Sequence, residues 1–318
     1  MKQQILLTGA SGFVGQAIAR ACLCQNITLI CPSRRPLDWQ SADMHNPIVS
    51  DMKADTDWSA HLQGVDIVIH SAARVHVMQE TASDPLAQFR AVNVDASLQL
   101  ARQAAAAGVK QFIYLSSVKV NGEATLPGHP YTADDQPLPQ DAYGISKMEA
   151  EQALLQLAQA TGMAVTIIRP PLVYGPGVKA NFLSMLRMVR RGLPLPLGSI
   201  RNQRSFVYLG NLVDLVLHCR LHEAARNQVF LASDGSDLST TELLRLCAQA
   251  LQVKSRLLPF PAALLTLAAS MLRKKNVADR LCQSLQVDIS KTRKLLAWSP
   301  PYTVEQGLQA TTAAIPIE

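Results

Sequence analysis

Near its start the chain has a short buried-strand pattern, Gln4-Ile-Leu-Leu-Thr8, followed at once by Gly9-Ala-Ser11-Gly12-Phe13-Val14-Gly15 and a helix-forming run to about Leu23. A buried strand, a glycine turn and a helix in direct succession admit few folds. The glycines allow a tight turn and let backbone approach a ligand closely. The start of the helix offers N–H donors and the positive end of its dipole. That context turns a Gly-x-x-Gly-x-x-Gly spacing into a candidate dinucleotide site. Gly9, Ser11, Gly12, Phe13, Val14 and Gly15 are therefore assigned to a cofactor pyrophosphate, against the alternative of a plain strand-to-helix turn.

The rest of the first half repeats the strand–helix alternation. Strands are predicted at Ile27 to about Cys31, Val65–His70, Gln111–Leu115 and Ala164–Ile168, with a helix around Phe89–Leu100. The predicted fold class is α/β: a Rossmann doubly wound parallel sheet with helices on both faces and a smaller C-terminal substrate domain. The expected division is residues 1–172 for dinucleotide binding, with 206–235 returning to that unit. Residues 173–205 and 236–318 are expected to form the substrate domain. Short strands are predicted at Arg204–Tyr208 and Gln228–Ala232, and helices at Asn181–Arg191, Leu212–His222 and Leu238–Leu251.

After the second strand the chain reads Cys31-Pro-Ser-Arg34-Arg35. An NAD site usually places a carboxylate there for the ribose 2′-hydroxyl. Two guanidiniums suit a 2′-phosphate instead. NADP(H) is favoured and NAD(H) kept as the alternative. Asp51-Met52 are placed beside the adenine. Ala72-Ala73, at the carboxyl end of the Val65–His70 strand, allow close backbone passage, and Arg74 and His76 follow where open α/β sheets bind ligands.

The candidate chemistry lies in Tyr143-Gly-Ile-Ser-Lys147. Asp141 can cap a helix running to about Thr161, with Gly162 as its stop. Tyr and Lys four apart on a helix share one face. A tyrosine hydroxyl titrates near ~10, and a neighbouring ammonium lowers that value. The pair is thus a candidate acid/base device. On spacing alone, which is common, an ordinary amphipathic helix is the favoured reading.

Taken together the motifs resemble the extended short-chain dehydrogenase/reductases of the nucleotide-sugar epimerase/dehydratase type. The resemblance rests on Thr8-Gly-x-x-Gly-x-x-Gly15, His70-Ser-Ala-Ala73, Asn93-Val94, Ser116-Ser117, Tyr143-x-x-x-Lys147, Arg169-Pro170 with Tyr174-Gly-Pro176, and Arg204-Ser-Phe-Val207. It implies that Ser117 and Tyr143 hydrogen-bond the reacting sugar oxygen and that Tyr143 is the acid/base. Lys147 would hold the nicotinamide ribose, Pro170 would line the cofactor, and Asn181, Arg204 and Arg280 would take the nucleotide diphosphate. A UDP-sugar substrate and a homodimer are implied in the same way.

Within the family, 4,6-dehydratases carry Asp-Glu after the hydroxyl residue. Here Val118-Lys119 stand there and cannot supply a carboxylic acid and a carboxylate base. That leaves chemistry at C4 alone. Arg74-Val75-His76 with Val118–Gly122 resemble enzymes of lipopolysaccharide clusters usually labelled as UDP-glucose 4-epimerase-like, some of which reduce UDP-4-keto-6-deoxy-N-acetylglucosamine to UDP-N-acetylquinovosamine. The first expectation is such a 4-keto reductase in surface-polysaccharide (O-antigen) synthesis. The alternative is a UDP-glucose or UDP-N-acetylglucosamine 4-epimerase. A third reading is a non-catalytic NADP(H)-binding sensor or scaffold, against which the intact Ser117, Tyr143 and Lys147 argue.

Composition bears on partners. The net charge is +6, but aromatic residues are only 5 % of the chain and are not interleaved with the basic ones, so nucleic-acid binding is not expected. Six scattered cysteines fit a reducing cytoplasm, no spacing reads as a metal site, and the apolar N-terminal run is too short for a signal peptide. The stretch Pro259–Lys275 holds about eleven apolar residues, too few to span a bilayer, which takes ~20. A buried helix or a dimer contact is its plain reading, with peripheral membrane contact as the minor one.

Overall fold

The structure, a computed structural model, describes residues 2–75, 84–126, 128–271 and 275–315. Its centre is a seven-stranded, wholly parallel sheet. Along the chain the strands are β1 (Gln4–Thr8), β2 (Thr28–Ile30), β3 (Met44–His45), β4 (Ile67–His70), β5 (Gln111–Leu115), β6 (Ala164–Arg169) and, after an excursion, β9 (Gln228–Leu231). Their spatial order is β3-β2-β1-β4-β5-β6-β9. The order reverses between β1 and β4, and ligands of open α/β sheets bind at such a switch point, beyond the carboxyl ends of the strands.

Burial explains the runs that form these strands. β4, β5 and β6 are buried at every position, as expected where helices cover both faces. Helices α1 (Phe13–Cys24) and α7 (Leu209–Leu221) pack on one face, where Ile5, Leu7, Ile18, Leu215 and Phe230 share a core. On the other face lie α2 (Ser59–Leu62), α3 (Pro85–Arg90), α4 (Ala96–Ala106) and α5 (Ala142–Thr161), whose core includes Leu6, Val68, Leu100, Phe112 and Leu154. Cys22 is buried and Cys24 exposed, so these two thiols do face different ways.

Two local differences from the sequence reading have physical causes. The helix expected at Phe89–Leu100 is longer, running from Pro85 to Ala106, and contains a π-helical turn at Ala91–Asp95. One extra residue in that turn re-aims Asn93, a device common at functional sites. The third strand, β3, is only two residues, half exposed and polar at one position, and lies well before Asp51. Asp51 and Met52 thus sit in unpaired chain, Asp51 exposed and Met52 packed against the second core.

Beyond β6 a second, smaller assembly forms. β7 (Leu172–Tyr174) and β8 (Phe206–Tyr208) make a two-stranded parallel ribbon. Helices α6 (Ala180–Arg190), α8 (Thr240–Ala250) and α12 (Val304–Ala313) pack around Tyr174, Phe182, Leu243 and Leu308. α8 and α12 each start with a reciprocal capping box, Ser239 with Glu242 and Thr303 with Gln306. The remaining helices are α9 (Ala262–Met271), α10 (Lys275–Cys282) and α11 (Ser290–Leu296). Among the described residues no helix is long and apolar enough to cross a membrane.

Candidate active site

At the switch point the glycine turn closes on itself. Gly12 N–H donates to Gly9 O at 2.8 Å, and Gly9 has φ of 77°. A Cβ on Gly15 would lie 2.1 Å from Gly9 O, and one on Gly9 would lie 2.7 Å from Ala72 N. Those two positions admit only glycine without moving backbone. The N-cap of α1, Gly12, carries no side chain to accept from the first turn. These donors are thus left to an external anion, and with Gly9 and Gly15 they fit a dinucleotide pyrophosphate. Ser11 is exposed on the turn, Phe13 and Val14 are half-buried at the start of α1, and Ala72 N–H reaches Thr8 Oγ1 at 3.3 Å.

Arg34 and Arg35 are both exposed on the turn after β2. Asn46 builds that turn: its side-chain amide donates to Cys31 O (2.6 Å) and Ser33 Oγ (2.7 Å) and accepts from Leu37 N–H (3.0 Å). Ser33 Oγ donates to Arg35 O at 2.6 Å. Nothing local in the sequence marks Asn46, which lies fifteen residues from the carbonyl it serves.

Tyr143 and Lys147 lie in the first turns of α5. Asp141 caps the helix by accepting from Gly144 N–H at 2.7 Å, and Gly162 ends it in the left-handed conformation (φ 76°). Ser117 is the neighbouring side chain that pulls the Tyr143 pKa down. Ser117 itself starts the short 3-10 turn Val118–Val120. Lys147 is buried. Its ammonium donates to Leu115 O at 2.7 Å and Tyr114 OH at 3.1 Å, and lies 4.3 Å from the centre of the Tyr114 ring.

The electrostatics differ from the expectation of a lowered tyrosine pKa. Burial pushes Tyr143 up to about 12, Asp141 pushes the same way, and only the Ser117 hydrogen bond pulls down. Burial lowers Lys147 to about 7, opposed by the Glu151 carboxylate. The ammonium is directed at Tyr114 and a carbonyl, so the protein alone holds Tyr143 protonated. His70 is also neutral: burial takes it down to about 3, with Lys147 adding to the shift. Its ring nitrogens lie 2.7 Å from Thr8 Oγ1 and 2.8 Å from Ser97 Oγ, and its ring stacks on Tyr114.

Beneath these groups runs a buried polar network missing from the sequence reading. Arg169, at the end of β6, grips Glu151 of α5, with Nε 3.0 and 3.1 Å from the two carboxylate oxygens and Nη2 2.5 Å from one of them. Ser116 Oγ also donates to Glu151, and Arg169 Nη1 donates to Asn121 Oδ1 at 3.1 Å. Both ions are almost fully buried, at 4 % and 3 % exposure. Glu151 falls four residues after Lys147, which is the one signal that could have marked it.

Asn93 ties β4 to α5. Its amide accepts from Arg74 N–H (2.8 Å) and donates to Arg74 O (3.1 Å) and Ser146 Oγ (3.0 Å). The Arg74 guanidinium lies 5.5 Å from the Phe89 ring, which meets Tyr143 edge-on at 6.0 Å, so Arg74 and Tyr143 flank one aromatic residue. His76 lies outside the described residues. Pro170 is buried and its carbonyl accepts from Val118 N–H at 3.0 Å.

Arg204 is half-buried and donates to Gln283 O at 3.0 Å. Burial and the nearby Arg280 both lower its pKa. Asn181 stands exposed in the first turn of α6, on a separate element. No cluster of His, Cys, Asp or Glu able to hold a metal occurs among the described residues.

Comparison with known proteins shows the family. The profile of the NAD dependent epimerase/dehydratase family matches residues 5–232. A Vibrio cholerae protein named UDP-glucose 4-epimerase is 44% identical over 316 residues, covering 99% of this chain and 96% of that one. The solved UDP-glucuronic acid 4-epimerase of Bacillus cereus, in complex with NAD, superposes with a TM-score of 0.77 at 20% identity, over 98% of both chains. RMD from Pseudomonas aeruginosa, complexed with NADPH, superposes with a TM-score of 0.73 at 24% identity, over 98% of this chain and 99% of that one.

Proposed function

Because the chain belongs to the NAD dependent epimerase/dehydratase family of NAD(P)-dependent enzymes, we propose that it carries out hydride chemistry at C4 of a UDP-sugar, and that it reduces a UDP-4-keto-6-deoxy-N-acetylhexosamine with NADPH. The observation that carries the reductive reading is the turn after β2. It presents Arg34 and Arg35, both exposed, and no carboxylate between Cys31 and Leu37. Guanidinium forks suit a 2′-phosphate, and an NADP(H) site that exchanges its cofactor suits a single hydride delivery.

The residues would divide the work as follows. Gly9, Gly12 and Gly15 with the α1 N-terminus would hold the pyrophosphate, and Lys147 the nicotinamide ribose. When bound, the nicotinamide supplies the hydride. Ser117 Oγ and Tyr143 OH would both donate to the C4 carbonyl oxygen, polarising it, and Tyr143 would deliver its proton as the oxygen becomes a hydroxyl. A tyrosine held protonated by burial is in the state that step requires at its start. The Arg204–Arg280 pair would take the diphosphate.

A second reading, 4-epimerisation of UDP-glucose or UDP-N-acetylglucosamine, is favoured by the 44% identical relative of that name. It uses the same Ser117, Tyr143 and Lys147, with Tyr143 first accepting a proton and later returning it. The two are separated by incubating the protein with NADPH and the 4-keto sugar, and separately with UDP-glucose and UDP-N-acetylglucosamine. The reductive reading predicts NADPH consumption in the first case and no epimer in the second; epimer formed without added cofactor would overturn it.

The cofactor assignment has its own test. Arg34→Ala with Arg35→Ala is expected to weaken NADPH by roughly 10–100-fold, from the loss of charge-assisted hydrogen bonds, and to leave NADH nearly unchanged. Titration of both cofactors into both proteins reads this. Equal losses would show that the two arginines do not read the 2′-phosphate.

A further inference from the structure

The +6 net charge is not spread over the molecule. Residues 175–213 and 251–278 together hold eleven of the 30 Lys and Arg and none of the 24 Asp and Glu. The remainder, with 19 basic against 24 acidic residues, is net acidic. The proposed diphosphate subsite would engage only Arg204 of these eleven. Lys179, Arg191, Arg201, Lys254 and Arg256 are exposed.

These two basic segments meet in space. Leu195 N–H donates to Arg256 O (2.9 Å), Leu258 N–H to Leu195 O (2.8 Å), and Gly198 N–H to Leu258 O (2.9 Å). From that junction the chain enters α9, whose sequence is Ala-Ala-Leu-Leu-Thr-Leu-Ala-Ala-Ser-Met. Among the described residues its one extensive neighbour is α10. Leu264, Leu267 and Met271 fall at spacings of three and four and form one stripe. They are 48 %, 59 % and 80 % exposed, and Leu258 and Phe260 lead up to them, also exposed. Ten helical residues span about 15 Å, half of what a bilayer core requires. An apolar stripe of this length beside single-sign cationic chain has the make-up of a helix that lies in an interface plane and meets anionic headgroups.

We propose that the α9 stripe and the basic segments around it seat the enzyme on the surface of an anionic lipid bilayer, with Leu264, Leu267 and Met271 entering the headgroup region. The charge decides the occupant: a second copy of the chain would bring the same net-cationic segments against themselves, whereas an anionic membrane complements them. The loop 192–198, hydrogen-bonded to 256–258, would then lie close to the membrane surface.

The test is co-sedimentation of the full chain with vesicles of phosphatidylcholine alone and of phosphatidylcholine with about one third phosphatidylglycerol, a composition that carries the anionic surface the argument calls on. Binding is expected to the anionic vesicles and to fall steeply as salt rises. Leu264→Asp with Leu267→Asp should weaken it at least tenfold, and so should Lys254→Glu with Arg256→Glu. All four side chains are exposed, so an unchanged unfolding midpoint checks that the variants fold. Absent or equal binding to the two vesicle types, or binding unmoved by either double variant, overturns the proposal. Conversion of a dimer to a monomer by Leu264→Asp with Leu267→Asp, seen by sedimentation velocity without lipid, would assign the face to self-association and overturn it too.

Discussion

Replacing Tyr143 with Phe is expected to lower turnover by roughly 10²–10⁴-fold, the usual worth of a positioned general acid or base. The change removes one oxygen and keeps the ring, so the edge-on contact with Phe89 survives. Lys147 keeps its bonds to Leu115 O and Tyr114 OH, neither of which involves Tyr143. Cofactor affinity should therefore hold while turnover falls. That split is informative: a loss confined to KM would mean that Tyr143 only helps to bind. Near-normal turnover would remove it from the chemistry.

The second large effect concerns stability. Glu151→Gln should cost about 3–5 kcal/mol, because it leaves the buried Arg169 guanidinium without its counter-charge. The Glu151 carboxylate accepts from Arg169 and from Ser116, so the substitution disturbs three elements: α5, the end of β5 and the end of β6. Replacing both ions, Glu151→Leu with Arg169→Met, should recover much of the loss, since paired removal leaves no orphan charge. The control is Glu123→Gln. Its 3.0 Å contact with Lys119 is solvent-exposed, so it should cost no more than ~1 kcal/mol. Denaturant unfolding of the four proteins decides the matter, and a Glu151→Gln variant as stable as Glu123→Gln would contradict the account.

What the sequence made legible was local. Gly9, Gly12 and Gly15 lie within one turn and their spacing states the steric demand directly. Tyr143 and Lys147 lie one helical turn apart, with the Asp141 cap and the Gly162 stop read from residue type alone. The parallel sheet followed from strands that alternate with helices along the first half of the chain. The network under the site was not legible, because its members are 18 to 48 residues apart and only the fold brings them together. The π-helical turn escaped for a different reason: one inserted residue leaves the apolar pattern of a helix almost unchanged, yet it is what aims Asn93 at Arg74 and Ser146. The direction of the Tyr143 shift was missed because spacing gives proximity to Lys147 but not where the ammonium points, nor how deeply the phenol is buried. Which of Asn181, Arg204 and Arg280 share a ligand was likewise a question of placement. Arg204 lies near enough to Arg280 for that charge to lower its pKa, while Asn181 stands on a separate helix.

The account stands or falls on a single, net hydride delivery to C4. The direct measurement is to mix the protein with NADPH carrying deuterium at the transferable C4 position and a UDP-4-keto-6-deoxy-N-acetylhexosamine, then weigh and map the sugar product. The account predicts one deuterium per product, located at C4 of the sugar, with an equal amount of NADPH consumed. Unlabelled product, or conversion of UDP-glucose to its C4 epimer with no net loss of cofactor, would contradict it.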